Sequence, residues 1–334
     1  MIMKVIHVFI SSYTSHLNQI LYSLVDYTSN NKKKLSIIYD KEVKHNCVRI
    51  ENNGITYLLD YSDDYLFIDN PSNYDFYFKR SLQEKSVGNT IKPLNFQVNI
   101  ATNPLKLFAL LPKDINFIKN NKVEIARMFD FFGFLNMGHY AMIYNDIIKF
   151  REVKTDGKII FYTRLWDPDN NNNAEEKERR KIQNDFRIEA CNVIKSNFKN
   201  STVGIFDSKL AREICPKLIF PNKIISKRQY FKELSTSSIC IADDGLKDTP
   251  GWKIGEYALF GKSIISTPLN VAIEGFNENE NYLKLSSRKS FQEIPEKIEQ
   301  LLVNDFHLKM SKNNISWSEK FINPINYIKR ILEE

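Results

Sequence analysis

The stretch Ser238–Ser266, SICIADDGLKDTPGWKIGEYALFGKSIIS, constrains the fold most. It reads as a strand, a loop with Gly245 and several acids, a short helix, and a second strand. Thr249 is placed to cap the helix, Pro250 stands where a first-turn proline is tolerated, and Gly261 falls where a left-handed stop is needed. Ile254, Tyr257 and Ala258 form one apolar stripe, suited to covering a sheet. Lys253, Glu256 and Phe260 lie on another face, beside Trp252. A cation therefore stands in the first turn, where backbone N–H groups already attract phosphate. A carboxylate stands one turn on, where it can accept hydrogen bonds from sugar hydroxyls. The same residues also suit an i,i+3 surface ion pair, and Trp252 and Phe260 also suit a core.

Around this unit, strands and helices alternate. Lys158–Thr163 reads as a buried strand, followed by the Asn-rich loop Asp169–Asn173 and a helix from about Ala174 to Asn197. The charged run Glu175–Lys181 reads as that helix's solvated face. Val203–Phe206 is a strand, Ser208–Ile214 a helix, Lys217–Phe220 a strand and Ser226–Leu234 a helix. Such alternation implies a parallel, doubly wound sheet, whose ligands bind at the carboxyl ends of the strands. Arg164, the Asp243–Asp248 loop and the start of the Trp252 helix all fall at such ends. Asp243 and Asp244 suit a turn before glycine better than a metal site.

The first half reads as a second α/β unit. Lys4–Ile10 is a strand, Leu17–Tyr27 a helix and Lys34–Tyr39 the next strand. Val48–Ile50 and Thr56–Leu59, separated by ENNG, resemble a hairpin. Tyr74–Phe78 and Lys92–Asn95 are short strands, and Pro104–Phe150 is mostly helical and aromatic-rich. The polar REVKTDG segment marks a junction, giving domains 1–150 and 151–316 and an amphipathic terminal helix 317–334, on which Phe321, Ile325, Ile328 and Ile331 share a face. A chain of 334 residues is long for one ordinary domain, so two are expected.

Composition bounds the partners. The net charge of +7 is spread along the chain, a mild bias toward phosphates or an anionic membrane surface and not a nucleic-acid-binding composition. The four cysteines (Cys47, Cys191, Cys215, Cys240) form no CxxC pair and read as buried thiols in a reducing compartment. The five histidines form no ligand-spaced cluster, so no metal is expected. The N-terminal apolar run has a strand's length rather than a signal peptide's, and no run is long enough to span a bilayer. A cytoplasmic protein is expected, with peripheral contact at the inner membrane face left open.

Two α/β domains, the Trp252 helix in the second and a terminal helix together resemble the GT-B glycosyltransferases. That resemblance implies two Rossmann-like domains facing across a cleft, a nucleotide-sugar donor in the C-terminal domain, and a last helix crossing back to the N-terminal one. Many retaining members of the family carry two glutamates separated by seven intervening residues at the donor site; Asp248 and Glu256 have that separation here, with aspartate at the first position. The resemblance implies ribose binding by Glu256 and a catalytic or sugar contact by Asp248, which also suits a helix cap. It also implies donor contacts by Gly245, Trp252 and Lys253. The YTRLWDP segment is similar to the family's first donor-domain strand and loop, with Arg164 as the pyrophosphate contact and Lys253 supplying the second charge. In the N-terminal domain, Lys79 and Arg80 of FYFKRS are candidate phosphate or acceptor contacts. His16, in SSYTSH after the first strand, is a candidate catalytic base or hydrogen-bond donor.

The resemblance implies a metal-independent glycosyltransferase without a cofactor, moving a sugar from a nucleotide donor to a glycan or glycolipid acceptor in surface-polysaccharide assembly. A nucleotide-sugar epimerase shares the architecture, though histidines are few. A non-catalytic nucleotide- or sugar-binding module of the same fold is the third reading. The base, sugar, acceptor, linkage and stereochemical outcome stay open.

Overall fold

A computed structural model describes residues 4–130, 141–220, 227–245, 247 and 249–333. The chain divides into two compact units. Unit 1 comprises Met1–Lys149, Val271–Glu274 and Glu319–Glu334; unit 2 comprises Phe150–Asn270 and Gly275–Ser318. Each combines helices with a sheet, so the α/β class expected from the alternation is the class observed.

Unit 1 is built on β1 (Val5–Ile10), α1 (Asn18–Asn30), β2 (Lys34–Tyr39), β3 (Cys47–Asn52), β4 (Ile55–Asp60), β5 (Phe76–Lys79) and β6 (Ile91–Pro93). Ile6, Val8 and Ile10 alternate inward, and these β-branched residues form a half-buried strand. The sheet runs β2-β1-β3-β4-β5-β6 among the described residues. It is mixed: β3 is antiparallel to both β1 and β4, while the other pairs are parallel. The ENNG hairpin is present. Asn53 and Gly54, at φ 54° and 82°, make the two-residue turn with positive φ at both positions that matches strand twist. Next come β7 (Ile100–Ala101), α2 (Pro104–Leu110), α3 (Ile115–Met128), β8 (Met142–Ile143) and α4 (Tyr144–Phe150). The expected aromatic run Phe129–Tyr144 lies largely outside the described residues. The C-terminal helix Pro324–Leu332 packs on α1, and Tyr327, Ile328, Ile331 and Leu332 belong to the core of this unit.

Unit 2 carries the feature that positions the site. Its strands are β9 (Ile159–Thr163), β10 (Ser201–Ile205), β11 (Ile239–Ala242), β12 (Ser263–Ser266) and β13 (Tyr282–Lys284), all parallel in the order β10-β9-β11-β12-β13. The expected strand Lys217–Phe220 shrinks to a single bridge, Ile219 to Ile205, because Pro216–Leu218 forms a helical turn. Counting that bridge as the third strand, the order is third, second, first, fourth, fifth, sixth. This is the doubly wound order whose reversal point lies between its first and fourth strands, here β9 and β11. The helices are α5 (Ala174–Asn197), α6 (Lys209–Ile214), α7 (Lys227–Ser235), α8 (Trp252–Leu259), α9 (Ile294–Leu302) and α10 (Phe306–Phe321). All four cysteines are buried and unbridged.

Candidate functional site

The carboxyl ends of β9 and β11 flank the reversal point, and α8 starts just beyond β11. Ile254, Tyr257 and Ala258 are fully buried, as their stripe requires. The helix stops as its sequence predicts. Gly261 is left-handed at φ 63°, its N–H donates to the Ala258 carbonyl at 3.0 Å, and the Lys262 N–H donates to the Tyr257 carbonyl at 2.9 Å. The start differs: the N-cap is Gly251, which has no side chain to cap the helix with. Thr249 is buried two residues upstream, and Pro250 pairs with Asp244 across the loop instead of entering the first turn.

Lys253 is partly buried and its ammonium donates to the carbonyl of Tyr162, the residue before the end of β9. Burial pushes its pKa down to about 8, against the pull of Asp243; Glu256 also favours the ammonium, and Arg187 and Arg164 oppose it. Asp243, Glu256, Arg187 and Arg164 thus all act electrostatically on the Lys253 ammonium. Glu256 is only 6% exposed and accepts a hydrogen bond from the Tyr230 hydroxyl at 3.2 Å. Arg164 is exposed at the end of β9, its guanidinium stacked 3.9 Å from the Trp166 ring. Trp252 is half-buried in the first turn of α8. Gly245 donates from its N–H to the Thr249 carbonyl at 2.5 Å, and a Cβ there would meet that oxygen at 3.0 Å, so the loop closes tightly at this position. Asp248 lies outside the described residues.

Helix α5 supplies residues that the sequence reading missed. Arg187 donates from Nε to Asp243 at 2.6 Å and from Nη1 to the Arg164 carbonyl at 2.6 Å, so it ties the ends of β9 and β11 across the reversal point. Arg179 holds Glu176, the Gly245 carbonyl at 2.8 Å and Asp244 at 3.4 Å. Asn184 brackets Trp166, accepting from its N–H at 3.0 Å and donating to its carbonyl at 2.7 Å. Arg179, inside the supposed solvated run Glu175–Lys181, is therefore buried: the acidic loop packs on this face of the helix. The available signal was the four-residue spacing of Arg179, Gln183 and Arg187, which aligns them on one face with Phe186 and Ala190.

Asp244 accepts from Arg179 and, at 3.0 Å, from Arg288, yet burial and the neighbouring Asp243 raise its pKa to about 6. The acidic pair is thus held by arginines. Among the described residues, no group of three or more His, Cys, Asp and Glu side chains is placed to hold a metal ion. Arg288 also lines a cavity of about 360 Å³ at the ends of β12 and β13, with Asn270, Ser286, Ser287 and Lys289 on its walls.

In unit 1 the expected contacts sit differently. Lys79 has no exposed surface; it pairs with Asp60 at 2.8 Å, and the Tyr77 hydroxyl donates to the same carboxylate. Strand β5 lies inside the sheet, between β4 and β6, so Lys79 is a core ion pair and not a phosphate contact. Arg80 is likewise buried and pairs with Asp63. His16 stands in the helical turn Ser15–Leu17. Burial and the nearby Arg80 push its imidazole down to about 4, so it is neutral at pH 7.

No family model matches this chain. No curated protein matches it in sequence. Similar solved structures include a glycosyltransferase from Rickettsia africae ESF-5, at 12% identity and TM-score 0.43 over 100% of each chain. The UDP co-structure of S. aureus MnaA is similar at 13% identity and TM-score 0.41, over 99% of this chain and 98% of that one. Anabaena Alr3699/HepE, in complex with UDP and glucose, is similar at 11% identity and TM-score 0.39, over 99% of this chain and 100% of that one.

Proposed function

We propose that this chain is a glycosyltransferase of the GT-B kind, and that unit 2 binds a nucleotide-sugar donor at the β9–β11 reversal point. The observation that carries this reading is α8. It begins at the carboxyl end of β11 with a glycine at its N-cap, and sets an ammonium and a carboxylate three residues apart, the ammonium within electrostatic reach of Arg164. In the transfer, the bond from the sugar's anomeric carbon to the diphosphate oxygen breaks as the acceptor oxygen bonds to that carbon. Negative charge grows on the departing diphosphate. Lys253, Arg164 and the start of α8 would offset it, already oriented before the reaction. Glu256 would hold ribose hydroxyls. Arg187, Arg179 and Asn184 act one step back, holding the strand ends that carry these groups.

On the acceptor side, His16 in unit 1 is neutral, but a value of about 4 makes it a weak base, so its candidate role is to hydrogen-bond an acceptor hydroxyl rather than to take its proton. A glycan or glycolipid hydroxyl in surface-polysaccharide assembly is the acceptor we favour. The donor reading is tested by calorimetric titration of UDP, GDP, CMP and ADP into the wild type and into Glu256→Gln. One nucleotide should bind the wild type, and the variant should bind it about tenfold or more weakly at an unchanged melting temperature. Binding of none of the four would overturn the donor reading. A variant that binds normally would remove Glu256 from it.

A further inference from the structure

We propose that α2 and α3 of unit 1 form a face that docks on an anionic phospholipid leaflet. Five of the fifteen exposed large hydrophobic side chains among the described residues fall in this one stretch: Leu105 (68% exposed), Phe108 (41%), Ile115 (81%), Ile118 (44%) and Val123 (47%). Scattered singly, such residues mean little; gathered on two consecutive helices they make an apolar patch in search of a cover. Leu105 and Phe108 are three apart on α2, and Ile115 and Ile118 three apart on α3, so each pair shares a helical face. The opposite faces account for the folding of these helices, since Leu107, Phe117 and Asn121 are buried.

Charge selects the occupant. Lys106, Lys113, Lys119 and Lys122 are all exposed within Asn103–Val123, against one acid, Asp114, a local balance of four positive to one negative. Asp114 is engaged at the start of α3, where it accepts from the Asn116 and Phe117 N–H groups at 2.8 and 3.0 Å. The Lys113 ammonium lies 4.7 Å from the centre of the Phe108 ring, placing cation and apolar surface together. Aliphatic and aromatic side chains fringed with lysine describe an interfacial helix on acidic headgroups. A protein partner fits less well, because lysine is depleted in the cores of protein interfaces. Among the described residues no helix is long and apolar enough to cross a membrane, so the contact is peripheral.

Flotation with phosphatidylcholine vesicles, with and without phosphatidylglycerol, tests this directly. The wild type should float with the anionic vesicles only, and added salt should release it. Lys119→Glu/Lys122→Glu should weaken the association about 25-fold or more, at roughly fivefold per lysine lost. Ile115→Ser/Ile118→Ser should weaken it about tenfold or more. Both pairs are exposed, so melting temperature and nucleotide binding should stay at wild-type values. Failure of the wild type to float, or wild-type flotation of both variants, overturns the proposal. So does vesicle-free self-association that the isoleucine variant abolishes, which would make the face a contact between copies. Nucleotide titrations of unit 2 neither support nor damage it, so the two readings fail separately.

Discussion

Lys253 carries opposite consequences for stability and for binding. Its pKa in the folded chain is lowered from 10.5 to about 8, mainly by burial, and the buried Lys262 is lowered to about 8 in the same way. A lowered lysine value means that the fold disfavours the ammonium. Between about pH 8 and pH 10.5 the unfolded chain holds protons that the folded chain has released, so stability rises with pH across that window. Attraction for a diphosphate runs the other way, because only the ammonium attracts it. Nucleotide affinity should therefore fall about tenfold between about pH 7 and pH 9 in the wild type and stay level in Lys253→Met, whose affinity is already low. Calorimetric titration at several pH values checks this; an affinity level in the wild type would remove Lys253 from the phosphate contact. The same scale shows what one sequence can disclose. The element positions of Lys253 and Glu256 on α8 and of Arg164 just after β9 were legible because the flanking strands and the Gly261 stop bracket them. Arg179 and Arg187 were not, because a charged helical run looks solvated until the packing partner, the Asp243–Gly245 loop, is known. Lys79 misled for a related reason: its burial depends on β4 and β6 lying on either side of β5, which FYFKRS alone does not encode.

Elements were more legible than residues, and ends with an intrinsic backbone requirement most of all. Helix α5 runs over Ala174–Asn197, with Asn173 capping it through a bond from the Glu176 N–H at 2.9 Å. The ENNG turn and the Gly261 stop were equally clear, since left-handed backbone strongly favours glycine or asparagine. The start of α8 was not. Thr-Pro-Gly offers several starting points, and the pairing of Asp244 with Pro250 moves the cap to Gly251. Gly261 gives the test at this scale. A Cβ there would sit 2.4 Å from Cγ1 of Ile315 on α10, in addition to the left-handed φ of 63°. Gly261→Ala should cost about 1–2 kcal/mol for the backbone alone, and urea unfolding should show a larger total. Trimming the neighbour back to its Cβ removes the atoms the new methyl would meet, so Gly261→Ala should cost less in an Ile315→Ala background than in the wild type. A fully additive double variant would place the cost in the backbone and not in the contact with α10.

At the scale of the whole molecule, two α/β units could be read from the alternation of elements, whereas the discontinuity of unit 1 could not. Val271–Glu274 joins it through bonds to residues far away in sequence, which leave no local signature: the Ala272 N–H to the Leu82 carbonyl at 2.7 Å, and the Glu274 N–H to Asn95 at 2.8 Å. The C-terminal helix is the larger contribution. Tyr327, Ile328, Ile331 and Leu332 enter the same core as Leu21, Leu24 and Val25 of α1, and the Tyr61 and Tyr327 hydroxyls meet at 2.7 Å. Removing a buried leucine or isoleucine side chain typically costs about 2–5 kcal/mol, so losing several together exceeds the roughly 5–15 kcal/mol that holds a domain folded. A chain ending at Ser318 should therefore lose unit 1 while keeping unit 2, whose main core includes Met310 but nothing beyond Ser318. Hydrogen exchange followed by mass spectrometry reads this by segment: amides of β1 and β2 should lose protection, and those of β9, β11 and β12 should keep it. The single substitution Ile328→Ala should lower the melting temperature without abolishing that protection. Unchanged exchange in β1 of the truncated chain would mean that the last helix covers this core without holding it together.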